Sequence, residues 1–402
     1  MNIYEQIKKG AADLSEEVIQ LRRIIHGYAE IAGKEYQTRQ LVCDRLDSLG
    51  IPHIDVTETA LIGIWDTGKP GKRVALRADM DALPMVENPQ NLKGDRTCMS
   101  SQADTCHACG HDAHTAMLLA SITLLHSLKS SLCGIFYFCF EAGEECGKSV
   151  NQMIEKLQRL KPDTVWAMHV YAGLASGKIS VDAGPRMAGG AILNIQVNGQ
   201  GGHASRPDKS RNPVYTAADI VTNIPGALLA QMNPEDAVTY GVTGIAGGGV
   251  GNIIPDTATI IGTMRFFNQQ AGQKAAKIVR EVAEYTAKMH HCTVNLPETE
   301  IFGGPVINDV VCAALADDIL SKYLPADTIC KCPPWYASES FARYLQEFPG
   351  VFAFLGIQNA DYGSGAEHHN EYFDVDENVL QLGVAATALY AVSYMEKGGE
   401  TS

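Results

Sequence analysis

The ten residues from Cys106 to Thr115, CHACGHDAHT, hold two cysteines and three histidines, a density that neither core packing nor a solvated loop requires. Three chemistries compete for them. Cys106 and Cys109 form a C-x-x-C pair, but a structural zinc knuckle needs a second such pair or two histidines, and Cys330 and Cys332 offer only C-x-C. A thioredoxin-like redox pair at a helix start would use the same cysteines and leave the histidines unexplained. A catalytic metal site would use Cys109 and His111 on a turn, where irregular backbone lets residues two apart aim at one point. It needs further ligands from other segments.

Candidates for those ligands are Glu144 and Glu145 in EAGEE, His169 in AMHV, and His368 and His369 in EHHNEYFDVDE. In an adjacent acid pair one carboxylate can hold a metal while its neighbour takes a proton from water. Each fragment alone also reads as an acidic turn or a polar sheet edge. Four of them at successive strand ends favour the metal site.

The elements that must carry these residues follow a repeated form. KRVALRADMDALP, GIFYFCFEAGEE and TVWAMHV are each a β-rich run ending in ionisable residues, with helices expected over 112–129 and 147–160. This order predicts a largely parallel α/β sheet with its site at the carboxyl ends of the strands. Asp13 followed by Glu16 reads as the N-cap of a first helix whose Val18, Leu21 and Ile25 face the core. From about 190 to 300 the pattern is a strand, a helix over 213–230, two strands, a helix over 272–289 and the short strand CTVNLP. That is a ferredoxin-like β-α-β-β-α-β unit. GVFAFLGI and the helical ENVLQLGVAATALYAVSYM then return to the texture of the first half. The expected domains are therefore a catalytic domain over 1–185 and 301–402 with an α+β domain over 186–300 inserted in it.

Composition narrows the function. With 402 residues, 46% of them hydrophobic, the chain can bury two cores. Lys and Arg number 32 against 46 Asp and Glu, and the formal charge of −14 predicts neither a nucleic-acid nor a membrane partner. No run of 18 apolar residues occurs, and the 11 cysteines, odd in number and set in apolar segments, predict reduced thiols and a cytoplasmic protein. The run GGGVG precedes a strand, NIIPDTATI, rather than a helix, so it is not read as a phosphate loop.

HACGHDAHT, EAGEECG, MHV, GGHASRPD, NIIPDTATIIGTMR and HHNEYFDVDE occur in an order and spacing that resemble one family over nearly the whole chain. It is the group of metal-dependent amidohydrolases that includes hippurate hydrolase, indole-acetyl-amino-acid hydrolases and N-acetyl-diaminopimelate deacetylase, within the aminoacylase and carboxypeptidase clan. The resemblance implies an aminopeptidase-like α/β catalytic domain with two divalent metal ions (zinc, manganese, cobalt or nickel). Cys109 would bridge them, His111 and His169 completing one ion and Glu145 and His369 the other. Glu144 would be the general base. In the inserted lid and dimerisation domain, His203 would support the oxyanion, while Asn252 and Arg265 would meet a substrate carboxylate. Asp79 and Asp81 would orient a ligating imidazole or cap the next turn.

The chain also departs from the family. His26 to Glu30 lacks the proline of H-x-x-P-E, Glu141 to Gly143 replaces Q-P-A, and Glu339 to Phe341 replaces E-D-F. The ligands and base remain, so these changes bear on substrate choice. The expected activity is cleavage of the amide bond of a small-molecule N-acyl amino acid by a homodimer. A dipeptidase or carboxypeptidase is the alternative enzyme, and a metal-binding or redox-sensing protein without turnover the alternative outside enzymes.

Overall fold

The computed structural model describes residues 1–296 and 301–397. It divides into two compact units, one of 1–184, 307–333 and 343–402, the other of 185–306 and 334–342. The expected boundaries shift in several places, since residue 185 and residues 301–306 fall in the second unit. Residues 334–342 belong with the inserted unit, although sequence order assigns them to the catalytic domain. The ends of the ranges 186–300 and 301–402 at 297–300 and 398–402 lie outside the described residues.

The first unit is built on a seven-stranded sheet in the order His53–Asp55, Leu61–Asp66, Ile135–Glu141, Arg73–Asp79, Thr164–Ala175, Gly350–Gln358 and Ile179–Ser180. The third to sixth of these run parallel, and the remaining pairings are antiparallel. The expected parallel sheet is therefore confined to its centre. Those strands are continuous apolar runs, Phe136 to Phe140 and Phe352 to Phe354 being fully buried, because helices cover the parallel core.

Helix His111–Ser127 is the central helix. Its residues from His111 to Ile122 are all buried, as expected of a helix without a polar face. It starts at Gly110, whose φ of 96° is left-handed and whose Cβ, if present, would lie 2.3 Å from Val170 Cγ2. Only glycine fits this turn. Asp112, one residue in, takes Arg22 at 2.7 Å and His26 Nδ1 at 2.7 Å, and Arg22 continues to Glu377 at 3.2 Å. These buried charges tie helix Ser15–Tyr28 to the start of the central helix. The 377–396 segment is apolar and long enough to cross a membrane, yet most of it is buried inside the protein, and it forms part of the core.

The expected Asp13 cap is not used. Asp13 closes an earlier helix, Ile3–Asp13, and the next begins after Leu14 with no side-chain cap. Asn2 caps the earlier helix, accepting from the Glu5 N–H at 2.8 Å. The missing proline has a backbone cause. Ala29 stands in its place with φ 38°, which a pyrrolidine ring fixed near −65° cannot adopt.

The second unit has an antiparallel sheet ordered Val238–Ala246, Thr257–Phe266, Gly189–Asn198 and Thr293–Asn295. Helices Pro213–Gln231 and Gln269–Met289 cover one face, with Ile195, Val197, Ile220, Ile224, Ile260 and Val279 at the core. This is the β-α-β-β-α-β order.

Candidate metal centre

Cys109 and His111 leave the turn around Gly110 on either side of the helix start, so one sits just before the helix and the other in its first turn. The imidazoles are fixed from behind. His111 Nδ1 donates to Asp81 Oδ1 at 3.2 Å, and His169 Nδ1 donates to the Val170 carbonyl at 2.6 Å. Each ring therefore keeps its proton on Nδ1 and turns the Nε2 lone pair inward, the arrangement that metal-binding histidines need. His169 Nε2 lies 3.7 Å from Cys109 Sγ. His169 sits within strand Thr164–Ala175 rather than past its end, the position that sequence suggested.

The described residues bring the expected ligands together. The donor atoms of Cys109, His111 and His169 lie within 4.8 Å of one another, and so do those of Cys109, Glu145 and His369. The two clusters share Cys109. His111, Glu144 and Glu145 form a third such group, which sets both members of the acid pair beside the first cluster. A fourth, Asp79, His111 and His114, differs in being already bonded: His114 Nδ1 donates to Asp79 Oδ1 at 2.6 Å, and its Nε2 accepts from Val170 N–H at 2.9 Å.

Whether metal ions fit is tested by the donors themselves. His111 Nε2 and Glu145 Oε1 are buried and lack a hydrogen-bond partner although only 3.9 Å apart. His369 Nε2 approaches the same Glu145 Oε1 to 3.1 Å. Orphaned buried polar atoms are costly, and a cation between them removes that cost. Burial, then Glu145, push the Cys109 thiol well above its usual range, while His111 opposes them. Burial would also raise Glu145, but His369 and His111 hold it below the usual carboxylate range. A thiolate, a carboxylate and imidazole nitrogens suit divalent transition metals.

Asp81 orients a candidate ligand, as the resemblance implied, and its second role is one the sequence did not suggest. Besides orienting His111, it accepts the N–H groups of Glu144 at 3.0 Å and Glu145 at 3.1 Å, so it aligns a ligand and the acidic turn together. Asp79 orients His114 and binds Arg77 at 2.6 Å. His114 was not singled out from sequence, although its place three residues after His111 on one helix was a usable signal. Glu35, whose Oε1 accepts from Gly143 N–H at 2.8 Å, gave no such signal.

Of the C-x-x-C pair, only Cys109 belongs to a candidate metal cluster among the described residues. Cys106 is exchanged into a backbone bridge with Leu83, its thiol is pushed up to about 12 by burial, and it joins none of the ligand clusters. Cys106 and Cys109 are free thiols rather than a disulfide. Glu141, one of the departures from the expected motif, accepts from Arg77 Nε at 2.8 Å and Tyr344 OH at 2.7 Å. A carboxylate here is thus matched by a buried guanidinium. Glu339 Oε1 accepts from Phe341 N–H at 2.9 Å, closing its own turn.

The remaining expected residues belong to the second unit. His203 pairs with Ile253 across two short strands, and the Asn252 carbonyl accepts from Ala204 N–H at 3.0 Å, so these two are neighbours. Arg265 stands on strand Thr257–Phe266, where its Nη1 donates to Thr263 Oγ1 and to the Met264 carbonyl.

A sequence model of peptidase family M20/M25/M40 matches residues 75–393. Thermostable carboxypeptidase 1 of Saccharolobus solfataricus is 34% identical over 99% of this chain and 100% of its own length. IAA-amino acid hydrolase ILR1-like 4 of Arabidopsis thaliana is 31% identical over 95% of this chain and 87% of its own. The crystal structure of the Bacillus subtilis YXEP protein, described as a dinuclear metal binding peptidase, superposes with a TM-score of 0.81 at 26% identity, covering 96% of this chain and 99% of that one. The chain is a member of peptidase family M20/M25/M40.

Proposed function

We propose that the protein is a metal-dependent hydrolase that cleaves the amide bond of N-acyl amino acids. The observation that carries this reading is the pair of ligand clusters sharing Cys109, with Glu144 beside them. His111 and His169 would hold one divalent ion with Cys109, and Glu145 and His369 the other. When bound, such ions lower the pKa of water and polarise a carbonyl. Zinc, manganese, cobalt and nickel all tolerate this donor set.

The chain's own residues supply the proton chemistry. Glu144 takes a proton from the attacking water and returns it to the departing amine. Its backbone is held by Asp81, so the carboxylate approaches from a fixed turn. His203 Nδ1 accepts from Ser205 N–H at 3.2 Å, which leaves the ring proton on Nε2 as a donor for an oxyanion. Asn252 and Arg265 recognise the substrate carboxylate. Arg265→Ala should then slow an acid substrate far more than its carboxamide.

The name of the Saccharolobus solfataricus relative supports a second reading, a carboxypeptidase. Amine release from N-acetyl and N-benzoyl amino acids against N-blocked dipeptides separates the two, since a carboxypeptidase must accommodate a peptide on the acyl side, while a strong preference for N-aminoacyl substrates with a free amino group would mark a dipeptidase. Glu144→Gln should lower turnover about 100-fold or more while bound metal stays at the wild-type level. Glu145→Gln should lower both. Equal metal content in the two variants would overturn the assignment of base and ligand.

We further infer a homodimer formed through the second unit. Its strand Val238–Ala246 is an edge strand with no charged residue or proline, its Ile245 is exposed, and Leu229 and Ile253 are exposed elsewhere in the same unit. Unprotected edges of this kind invite pairing with another copy. The unpaired buried thiols, Cys139 and Cys312 among them, support a reducing, cytoplasmic location, testable by fractionation.

A further inference from the structure

We propose that Glu35 is a positioning residue for Glu144, acting through the backbone of Gly143; this rests on the reading of Glu144 as the proton-transferring base. Glu35 is fully buried, a rare state for a carboxylate. It precedes helix Tyr36–Ser48 in the N-cap position but makes no capping hydrogen bond there. Its acceptor is spent elsewhere. Oε1 receives the N–H groups of Gly33 and Gly143, both at 2.8 Å, across a separation of 108 residues in the second case.

The next two N–H groups, of Glu144 and Glu145, go to Asp81. Three consecutive amides thus converge on two carboxylates, starting from Gly143 in a left-handed conformation with φ 64°. Such a run of amides forms a concave anion site, and here the protein fills it with its own side chains. Asp81 cannot replace Glu35, because its Oδ1 already serves His111 and Glu144 while its Oδ2 serves Glu145. Without Glu35 the buried Gly143 N–H is an orphan, and the turn must rotate to satisfy it. Glu144 is the next residue and turns with it.

The acceptor oxygen, rather than the charge, is what this role uses. Both amides go to Oε1 and neither to Oε2, the Thr59 side chain being the carboxylate's remaining hydrogen-bonding neighbour. Glutamine retains the acceptor at full reach, whereas aspartate keeps the charge one methylene too short. The expected order therefore inverts the one that charge conservation would give.

The experiment compares E35Q, E35D, E35A and E144Q in the metal-loaded protein, reading kcat, KM, bound metal and the thermal transition. E35Q should stay within about threefold of wild type, while E35D and E35A lose about 100-fold in kcat with KM and bound metal little changed, the size expected of a base displaced by about 1 Å. If E35A does not fold, E35D against E35Q decides. Full turnover in E35D, or a loss in E35Q equal to that in E35D, overturns the role of Glu35. So does loss of metal together with turnover in E35D, which would mark a collapsed site. Full turnover in E144Q instead overturns the base assignment on which the proposal stands.

Discussion

His369 adopts φ 60°, a left-handed conformation that histidine tolerates better than most residues, and this turns its ring toward Glu145 with the side chain half exposed. Its neighbour is committed elsewhere. His368 Nδ1 donates to the Cys109 carbonyl and its Nε2 accepts from Ala172 N–H, both at 3.2 Å, while burial, then His114, pull its pKa down to about 3. His369→Ala should therefore lose bound metal. His368→Ala should keep most of it and lose about 1–3 kcal/mol of stability through two orphaned backbone groups, read by denaturant unfolding. Sequence could offer the pair but not the choice, since one residue of register separates a ligand from a spacer and only the backbone turn decides. A second histidine makes a pH prediction. His107 is buried with both nitrogens unpartnered, and burial pulls its pKa from 6.5 down to about 3. The folded protein holds it neutral, so below pH 6.5 the unfolded chain gains a proton that the native state refuses. Its contribution is present above 6.5 and is lost as pH falls toward 3, with a slope approaching about 1.4 kcal/mol per pH unit. His107→Leu should flatten the unfolding free energy across that window, and an unchanged acid slope would remove His107 from the account.

The longer helices of both units were legible as uninterrupted segments between turn signals, whether apolar all round or amphipathic. The central helix was expected over 112–129 and spans His111–Ser127, and the expected 272–289 helix spans Gln269–Met289. Less visible were features set by contacts between distant elements. The cap at Asp13 failed because an additional helix, Ile3–Asp13, absorbs that residue. The Arg77–Glu141–Tyr344 network was read only as a departure, since nothing local announces that Tyr344 reaches a strand end. Gly110 is the element-scale test. It combines φ 96° with a close approach to Val170, and it lies between Cys109 and His111. Gly110→Ala should cost more than about 2 kcal/mol from backbone strain and overpacking. Because the helix start must shift, bound metal should fall with it. A variant that is less stable but fully metallated would mean that the turn does not set the ligand geometry.

At the scale of the whole molecule, all five proposed ligands and Glu144 belong to the first unit, whereas His203, Asn252 and Arg265 belong to the second. Metal binding and self-association should therefore be separable. The exposed edge of the second unit is the place to divide them: Ile245 lies on the edge strand Val238–Ala246 and is half exposed. A lysine there adds a repelling charge from each copy wherever two edges meet, the device by which natural sheets block edge pairing. Ile245→Lys should convert a dimer to a monomer at micromolar concentration, read by sedimentation velocity, with bound metal unchanged. The side chain already faces solvent in part, so the fold of the unit should tolerate the charge, and its thermal transition provides the control. A dimer that persists in a well-folded Ile245→Lys protein would exclude this edge as the interface. Loss of metal on dissociation would show that the first unit depends on assembly to hold its ions, contrary to the separation argued from its ligand set.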